Sequence, residues 1–275
     1  MQNKPLLWYN KIKFPTADDN KYTRGHAVIL GGTDGKLGAA KLASLAALRS
    51  GAGLVTICCS TEAFIPYQAW ASSVMIHKTD TVKEFLDFIK DERVKAILVG
   101  PGCGVNEITK LIVLEVLKLK KPCILDADAI TVFQHNPKEL FDNTHHNVVL
   151  TSHTGEFGRV FDINKTDRIK SMTDAAKKAG CIVLLKGGET IIASLDGKVV
   201  VNNNAPPCLA TAGSGDVLSG VITGLVANGV LAFDATCIAA WVHGKAGKMC
   251  GTGMVSEDLI VIIKDIMKNL QHYGV

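Results

Sequence analysis

The chain of 275 residues is 47% hydrophobic and 20% charged, so it can bury a large core as one α/β domain over residues 1–275. Its net charge of +4 is small and dispersed and only 6% of its residues are aromatic, which excludes a typical nucleic-acid or membrane surface. Its eight cysteines have no C-x-x-C spacing, its first 21 residues are polar and it has no apolar run of transmembrane length. We therefore expect the cysteines to be reduced thiols and the protein to be cytoplasmic.

Short apolar runs alternate with segments of helical periodicity. In chain order, strands are predicted at 26–30, 54–59, 73–76, 96–99, 123–125, 148–150 and 182–185, followed by a hairpin of 190–195 with 199–201. Helices are predicted at 37–50, 81–90, 107–119, 170–179, 217–227, 232–249 and 256–270. Apolar strands without alternation, separated by helices, predict a mostly parallel central sheet covered by helices on both faces.

Glycine and polar residues recur just after the predicted strands. They lie at 31–32, 100–104, 126–128, 153–156 and 186–188. In open α/β sheets ligands bind at the edge formed by the carboxyl ends of the strands, so these segments predict one site there.

The segment Thr211-Ala212-Gly213-Ser214-Gly215-Asp216 precedes the predicted helix 217–227 and is the most informative motif. Its glycines let backbone N–H groups turn toward an anion, and the helix adds its positive end. An acid beside a bound phosphate is costly unless it removes a proton or meets a cation. The structural alternative is a glycine turn with Asp216 as an N-capping residue.

Two further glycine segments allow a ligand to approach the backbone closely. The segment 31–38 is neither G-x-G-x-x-G nor a Walker A motif, so it predicts either a ligand contact or tight helix–sheet packing. The segment 100–104 has three glycines in five residues, which suits contact with a bulky ligand.

Two polar segments have both a functional and a structural interpretation. His153 is suited to bind a substrate amide or hydroxyl and Glu156 to hold Mg²⁺ through water; alternatively, Glu156 lies in the first turn of a helix. Lys186 can reach phosphate and Thr190 can add a hydroxyl; alternatively, they belong to a hairpin turn with a snorkelling lysine. The remaining histidines, His243 among them, lack metal-site spacing.

In their order, these segments resemble the ribokinase-like superfamily and, within it, the ADP- or ATP-dependent (S)-NAD(P)H-hydrate dehydratases. The likeness covers most of the chain, from 31–40 through 100–104, 126–129, 153–156 and 186–190 to 209–216. The Gly-Ser-Gly-Asp element alone indicates the superfamily, whereas the ordered set is specific to the dehydratases. The resemblance implies a ribokinase-like three-layer α/β/α sandwich and an enzyme that repairs hydrated NADH or NADPH by consuming a nucleotide phosphate.

The resemblance also implies roles for individual residues. The hydrate would be contacted by Ala39, Gly102 or Gly104, His153 and Asp216. The adenine nucleotide would be held by Lys186, Gly187, Gly188, Glu189, Thr190, Gly213, Ser214 and Gly215. Mg²⁺ would lie near Glu156 and Asp126, bound through water.

The chain departs from the family pattern at the histidine. Members commonly have prolines on both sides of it, whereas Ser152 and Thr154 stand there in this sequence. Many bacterial members also carry a fused epimerase domain for which 275 residues leave no room, so a separate epimerase is expected. A homo-oligomer, with a tetramer as the expected form, and ADP as the phosphate donor complete these expectations.

The residues fit this chemistry. Asp216 is suited to take the proton of the hydrate hydroxyl as that oxygen attacks the terminal phosphate of ADP, and the amides of 213–215 would stabilise the transferred phosphoryl group. Two alternatives remain: a hydroxyethylthiazole or hydroxymethylpyrimidine kinase of the same superfamily, and a non-catalytic nucleotide sensor. Asp216 argues against the sensor, because a protein that only binds gains little from an acid beside phosphate.

Overall fold

The computed structural model describes residues 1–32, 35–70, 72–162, 164 and 166–271. In these ranges the strands are His26–Leu30 (β1), Leu54–Cys59 (β2), Met75–Lys78 (β3), Val94–Val99 (β4), Cys123–Asp126 (β5), Val148–His153 (β6), Ile182–Lys186 (β7), Thr190–Ala193 (β8) and Val199–Asn202 (β9). The α-helices of the same ranges are Gly38–Arg49 (α1), Thr61–Gln68 (α2), Val82–Ile89 (α3), Glu107–Lys118 (α4), Asp128–Thr131 (α5), Pro137–Phe141 (α6), Thr154–Val160 (α7), Arg168–Ala179 (α8), Ser214–Ala227 (α9), Ala232–Cys250 (α10) and Ser256–Leu270 (α11).

The strands form one sheet in the order β3-β2-β1-β4-β5-β6-β7-β8-β9. Neighbouring strands from β3 to β7 are parallel, and β8 and β9 join as an antiparallel hairpin. The chain first builds outward from β1 to β3, then returns to place β4 on the other side of β1. The crevice between β1 and β4 is therefore the topological switch point where ligands bind in such sheets.

The core is divided into two layers by the sheet. One face packs against α1, α2, α9, α10 and α11, and the other against α3 to α8. Strand residues alternate between the layers: Ala27 and Ile29 belong to the first and Val28 to the second. This confirms the predicted mostly parallel sheet with helices on both faces.

Helices α1 and α9 pack unusually closely because small residues line their contact. A Cβ on Gly220 would lie 2.3 Å from the carbonyl oxygen of Ala43, and one on Gly224 would lie 2.3 Å from that of Ala47. No side chain larger than hydrogen fits at either glycine without moving backbone. Gly220 contacts Ala43 and Gly224 contacts Ala47, so the two helices stay in contact over successive turns and run in the same direction.

Most predicted elements lie within two or three residues of the observed ones, with instructive exceptions. The third strand is at Met75–Lys78 rather than 73–76, because this exposed edge strand has little apolar pattern to mark its ends. Helix α2 was missed because Pro66 lies inside it. Helices α5 and α6 were also missed, because four and five residues are too few to show a repeated apolar pattern, whereas α7 begins where the structural alternative for Glu156 placed a helix. Thr33 and Asp34 of the first glycine segment, and His272, lie outside the described residues.

Candidate active site

The loop before α9, residues 211–216, which we call the anion loop, turns at a glycine. Gly213 has a φ of 85°, in the left-handed region that favours glycine, and a Cβ there would lie 2.4 Å from Leu42 Cδ1. Helix α9 begins at Ser214, so Asp216 lies in its first turn. The alternative of an N-capping aspartate is therefore wrong. The N–H groups of this first turn have no intrahelical acceptor and, with the helix dipole, suit an anion.

An ion pair between a buried carboxylate and a partly buried lysine lies against the anion loop. The ammonium of Lys186, at the end of β7, lies 2.8 Å from Asp126 Oδ1, at the end of β5. Asp126 Oδ1 also accepts from the backbone N–H of Ala127, and Oδ2 accepts from Ser219 Oγ of α9 at 2.6 Å. A Cβ on Gly215 would lie 3.3 Å from the Lys186 nitrogen, so the ammonium faces the first turn of α9. The alternative of a snorkelling lysine is therefore wrong.

Burial and neighbouring charges shift the pKa values of Lys186 and Asp216. Burial opposes the charge of Lys186, but Asp126, Glu156 and Asp216 outweigh it and raise the pKa of the ammonium. Burial and the neighbouring charge of Asp126, together with Glu156, raise the pKa of Asp216 to about 7, against the lowering effect of Lys186. A carboxyl group with a pKa near neutrality can accept a proton from a substrate at physiological pH.

His153 and Glu156 form a capping box at the start of α7. Glu156 Oε2 accepts from the backbone N–H of His153 at 3.0 Å, and His153 Nδ1 accepts from the N–H of Gly155 at 3.0 Å. The structural interpretation of Glu156 is therefore confirmed. The hydrogen bond at Nδ1 assigns the proton of the neutral ring to Nε2, and the side chain is 59% exposed, so it can reach a ligand. In the register of the parallel strands β6 and β7, His153 lies beside Lys186.

A cavity of about 640 Å³ opens beside these groups. Its walls include seven residues predicted for the site: His153, Lys186, Gly187, Gly188, Thr190, Ser214 and Gly215. Eight further residues complete the walls, most of them apolar: Ala205, Pro206, Pro207, Leu209, Ala210, Thr211, Leu218 and His243. An apolar cavity with a few convergent polar groups is typical of a site for an aromatic base and its phosphates.

Some predicted residues are placed by packing rather than in the cavity wall. Eight of the residues predicted for the site, all of them described by the structure, are not in that wall: Ala39, Gly102, Gly104, Asp126, Glu156, Glu189, Gly213 and Asp216. Ala39 lies in the first turn of α1 and Asp216 in the first turn of α9, and their contact with a hydrate stays a prediction.

The glycines after β4 hold two loops together at the switch point. A Cβ on Gly102 would lie 2.7 Å from the carbonyl oxygen of Lys36, and the N–H of Gly104 donates to Asp128 Oδ2. Gly100, Gly102 and Gly104 all have positive φ angles. Their packing role is clear from this geometry, and their contact with a hydrate stays a prediction.

The turn that follows Lys186 is held by hydrogen bonds of its own residues. Thr190 Oγ1 donates to the carbonyl oxygen of Gly187, and the carbonyl oxygen of Glu189 accepts from Arg168. The backbone of Gly187 and Gly188 lines the cavity, whereas the buried hydroxyl of Thr190 serves the turn.

Sequence reasoning missed the residues that close the cavity from the other side. Pro206 and Pro207 come from the loop after β9, just before the segment 209–216, and His243 comes from α10, where it lacks any motif. The proline pair was the only local signal, since prolines after a strand indicate an ordered loop.

No three His, Cys, Asp or Glu side chains of the described residues converge as a set that could hold a metal ion. Both oxygens of Asp126 are already bound by protein groups. Its predicted role toward Mg²⁺, like that of Glu156, stays a prediction. The same residues contain no helix that is both long enough and apolar enough to cross a membrane.

Comparison with known proteins identifies the family. A family model described as NAD(P)H-hydrate dehydratase matches residues 27–266. The chain belongs to the NAD(P)H-hydrate dehydratase family. The ADP-dependent (S)-NAD(P)H-hydrate dehydratase of Neisseria meningitidis is 33% identical over 255 residues, which cover 90% of this chain and 84% of that protein. The bifunctional NAD(P)H-hydrate repair enzyme of Escherichia coli is 31% identical over 273 residues, covering 95% of this chain and 51% of that protein.

Two solved structures share the architecture over nearly the whole chain. The ADP/ATP-dependent NAD(P)H-hydrate dehydratase of Bacillus subtilis, co-crystallised with ATP and Mg²⁺, superposes with a TM-score of 0.85 at 28% identity over 95% of both chains. A ribokinase-like superfamily protein of Enterococcus faecalis superposes with a TM-score of 0.82 at 24% identity, covering 94% of this chain and 92% of that one, which shows the ribokinase-like fold. The chain spans about half the length of the bifunctional curated relatives that it matches.

Proposed function

We propose that this chain, acting as one catalytic unit, dehydrates the S epimer of hydrated NADH or NADPH by consuming a nucleotide phosphate, with ADP as the donor. One observation carries the proposal most directly: Asp216, with a pKa near neutrality, lies in the first turn of α9 beside Lys186 and the cavity. The names of the relatives from Neisseria meningitidis and Bacillus subtilis support the substrate class and the donor.

The proposed reaction begins with transfer of the terminal phosphoryl group. Asp216 takes the proton of the hydrate hydroxyl as its oxygen attacks the terminal phosphorus of ADP, and the bond from that phosphorus to the bridging oxygen breaks to release AMP. Lys186 and the first-turn N–H groups of α9 stabilise the charge on the transferred group.

Elimination then restores the cofactor. The lone pair of the ring nitrogen expels phosphate from the neighbouring carbon, and loss of a proton from the next carbon re-forms the double bond. The net products are AMP, phosphate and reduced nicotinamide nucleotide. Phosphorylation of the hydroxyl is needed because hydroxide is a poor leaving group.

The charges of the site fit a divalent cation. Asp126, Glu156 and Asp216 face one ammonium, so a polyphosphate entering beside them meets an excess of negative charge. Mg²⁺ would neutralise the phosphate oxygens, and carboxylate oxygens are the ligands it accepts in proteins. We propose that Glu156 binds it through water, with Asp126 contributing through the same solvent shell.

The decisive experiment supplies hydrated NADH with ADP or with ATP and follows the recovery of reduced nicotinamide. Hydrate consumed, AMP formed (ADP if ATP is the donor), free phosphate released and reduced nicotinamide should rise in equal amounts. A stable phosphorylated product without free phosphate would instead assign a kinase. Nucleotide binding with no turnover on any substrate would assign a sensor.

Asp216→Asn tests the assigned base. The amide keeps the shape of the carboxylate but cannot take a proton, so turnover should fall about 10²- to 10⁴-fold while ADP still binds. Asp174→Asn on the exposed face of α8 is the matched control and should retain wild-type turnover. Turnover of Asp216→Asn within a few-fold of wild type would contradict the assignment.

The homo-oligomeric state, with a tetramer as the expected form, the cytoplasmic location and the separate epimerase stay predictions.

A further inference from the structure

A buried histidine from another helix contacts the anion loop. His243 of α10 is 8% exposed and lies in the cavity wall. Its Nε2 atom lies 2.9 Å from the carbonyl oxygen of Ser214 and 3.0 Å from Ser214 Oγ. Sequence reasoning set this residue aside, and the proposed reaction does not use it.

The contact with the carbonyl oxygen assigns the proton of the ring. A carbonyl oxygen can only accept, so Nε2 carries the hydrogen and donates it. Burial, with the charge of Lys186 adding to it and the bond to Ser214 opposing it, lowers the pKa of His243 to about 4, so the ring is neutral at pH 7. The single hydrogen on Nε2 is shared between two oxygens of Ser214, which leaves the hydrogen of its hydroxyl free to be donated elsewhere.

Fixing the carbonyl oxygen also fixes the next N–H group. The peptide unit between Ser214 and Gly215 is planar and trans, so the N–H of Gly215 points opposite to the carbonyl of Ser214. Both residues line the cavity, and Gly215 faces the ammonium of Lys186. The ladder of α9 also orients this carbonyl, and His243 adds a second bond to the same oxygen. His243 therefore supports the position of two donors, the hydroxyl of Ser214 and the N–H of Gly215.

Close contacts also hold helix α10 in place next to His243. A Cβ on Gly244, the next residue, would lie 1.9 Å from Asn204 Oδ1, and Asn204 Nδ2 donates to the carbonyl oxygen of Trp241 at 2.9 Å. One turn on, a Cβ on Gly247 would lie 2.7 Å from the side chain of Leu209 in the cavity wall. Such close contacts allow little rotation of α10, so the ring of His243 has a defined position.

We propose that His243 is a positioning residue that turns the hydroxyl of Ser214 and the N–H of Gly215 toward the phosphates of the bound nucleotide. This rests on the proposed function in that it takes the anion loop as the phosphate site. The residue acts through Ser214 and touches no reacting atom.

Two variants of one residue test the proposal by binding. His243→Leu removes the donor, and His243→Gln places an amide N–H where Nε2 lies. Calorimetric titration without hydrate should show ADP affinity about tenfold weaker in His243→Leu, as expected for one lost hydrogen bond, with adenosine affinity unchanged. His243→Gln should recover most of the loss, and the exposed His135→Gln is the control. Equal loss for ADP and adenosine, or no loss, would overturn the proposal.

A measurement on the wild-type protein keeps the proposal testable if His243→Leu fails to fold. Nitrogen-15 NMR of the histidine rings should show a neutral ring protonated at Nε2 for His243 at pH 7. A proton on Nδ1, or a charged ring, would overturn the assignment. Turnover of hydrated NADH by the wild-type protein is measured in a separate assay. If that turnover is absent while the loss of ADP affinity in His243→Leu is observed, the proposed function fails and the positioning role stands.

Discussion

The carboxyl group of Asp216 has a pKa near neutrality, which makes the rate of the proposed reaction sensitive to pH. The base must be deprotonated to act, so kcat/KM should fall roughly tenfold per pH unit below about pH 7 and level off above it. A pH series of initial rates with hydrated NADH and ADP measures this. The residual rate of Asp216→Asn should lack that dependence, and a wild-type profile that stays flat down to about pH 5 would contradict Asp216 as the base.

Lys186 serves both the fold and the site, and the two roles can be separated. Lys186→Met leaves the carboxylate of Asp126, which is 1% exposed, without its cation, and removal of one partner of a buried pair costs roughly 3–5 kcal/mol of unfolding free energy. The double variant Lys186→Met with Asp126→Asn removes the stranded charge. Denaturant unfolding should show that the double variant recovers much of the loss.

Binding of ADP should behave differently in the same pair of variants. If the ammonium faces the phosphates, ADP affinity should be weak in both the single and the double variant. Calorimetric titration with ADP measures this, with Lys170→Met on α8 as the exposed control. Recovery of ADP affinity in the double variant would mean that Lys186 acts only by pairing with Asp126.

At the scale of elements, the close packing of α1 on α9 positions the site. Gly220 leaves no room for a Cβ against the backbone of Ala43, so Gly220→Ala must displace one helix. We expect a loss of about 1–3 kcal/mol of unfolding free energy and a lower turnover, because α9 carries Asp216.

Gly158 provides the matched control. It lies in α7, exposed, and a Cβ there would meet nothing within 4 Å. Gly158→Ala should therefore gain about 0.5–1 kcal/mol by restricting the unfolded chain. Thermal unfolding of both variants checks the opposite signs. A stable, fully active Gly220→Ala would show that the two helices can separate without cost.

The whole molecule should contain eight free thiols of unequal reactivity. All eight cysteines are unpaired; Cys208 and Cys250 are partly exposed and the other six are buried. A chromogenic thiol reagent should react first with those two in the folded protein and with all eight after unfolding. Identical mobility on reducing and non-reducing denaturing gels is the accompanying check. Fewer than eight thiols after unfolding without reductant would contradict the reduced state.

The order and type of the larger elements were predictable because they depend on local apolar runs and caps. Strands β1 and β2 and helix α11 have the predicted bounds. The alternation of strands and helices predicted a parallel sheet, and polar residues after the strands predicted the edge that forms the site. Elements without such local signals, such as α2 with its internal proline, could not be found in this way.

The sequence by itself determined the fold class, the family and most residues of one cavity wall, because these follow from motifs written in consecutive residues. Only the tertiary structure decided which charges meet. Asp126 and Lys186 are 60 residues apart, and Ser214 and His243 are 29 apart, so only the packing of strands and helices brings them together. The pKa of Asp216 depends on that packing, since burial and neighbouring charges shift it. A sequence motif can therefore predict that Asp216 lies in the site, whereas the pKa of its carboxyl group depends on the folded surroundings.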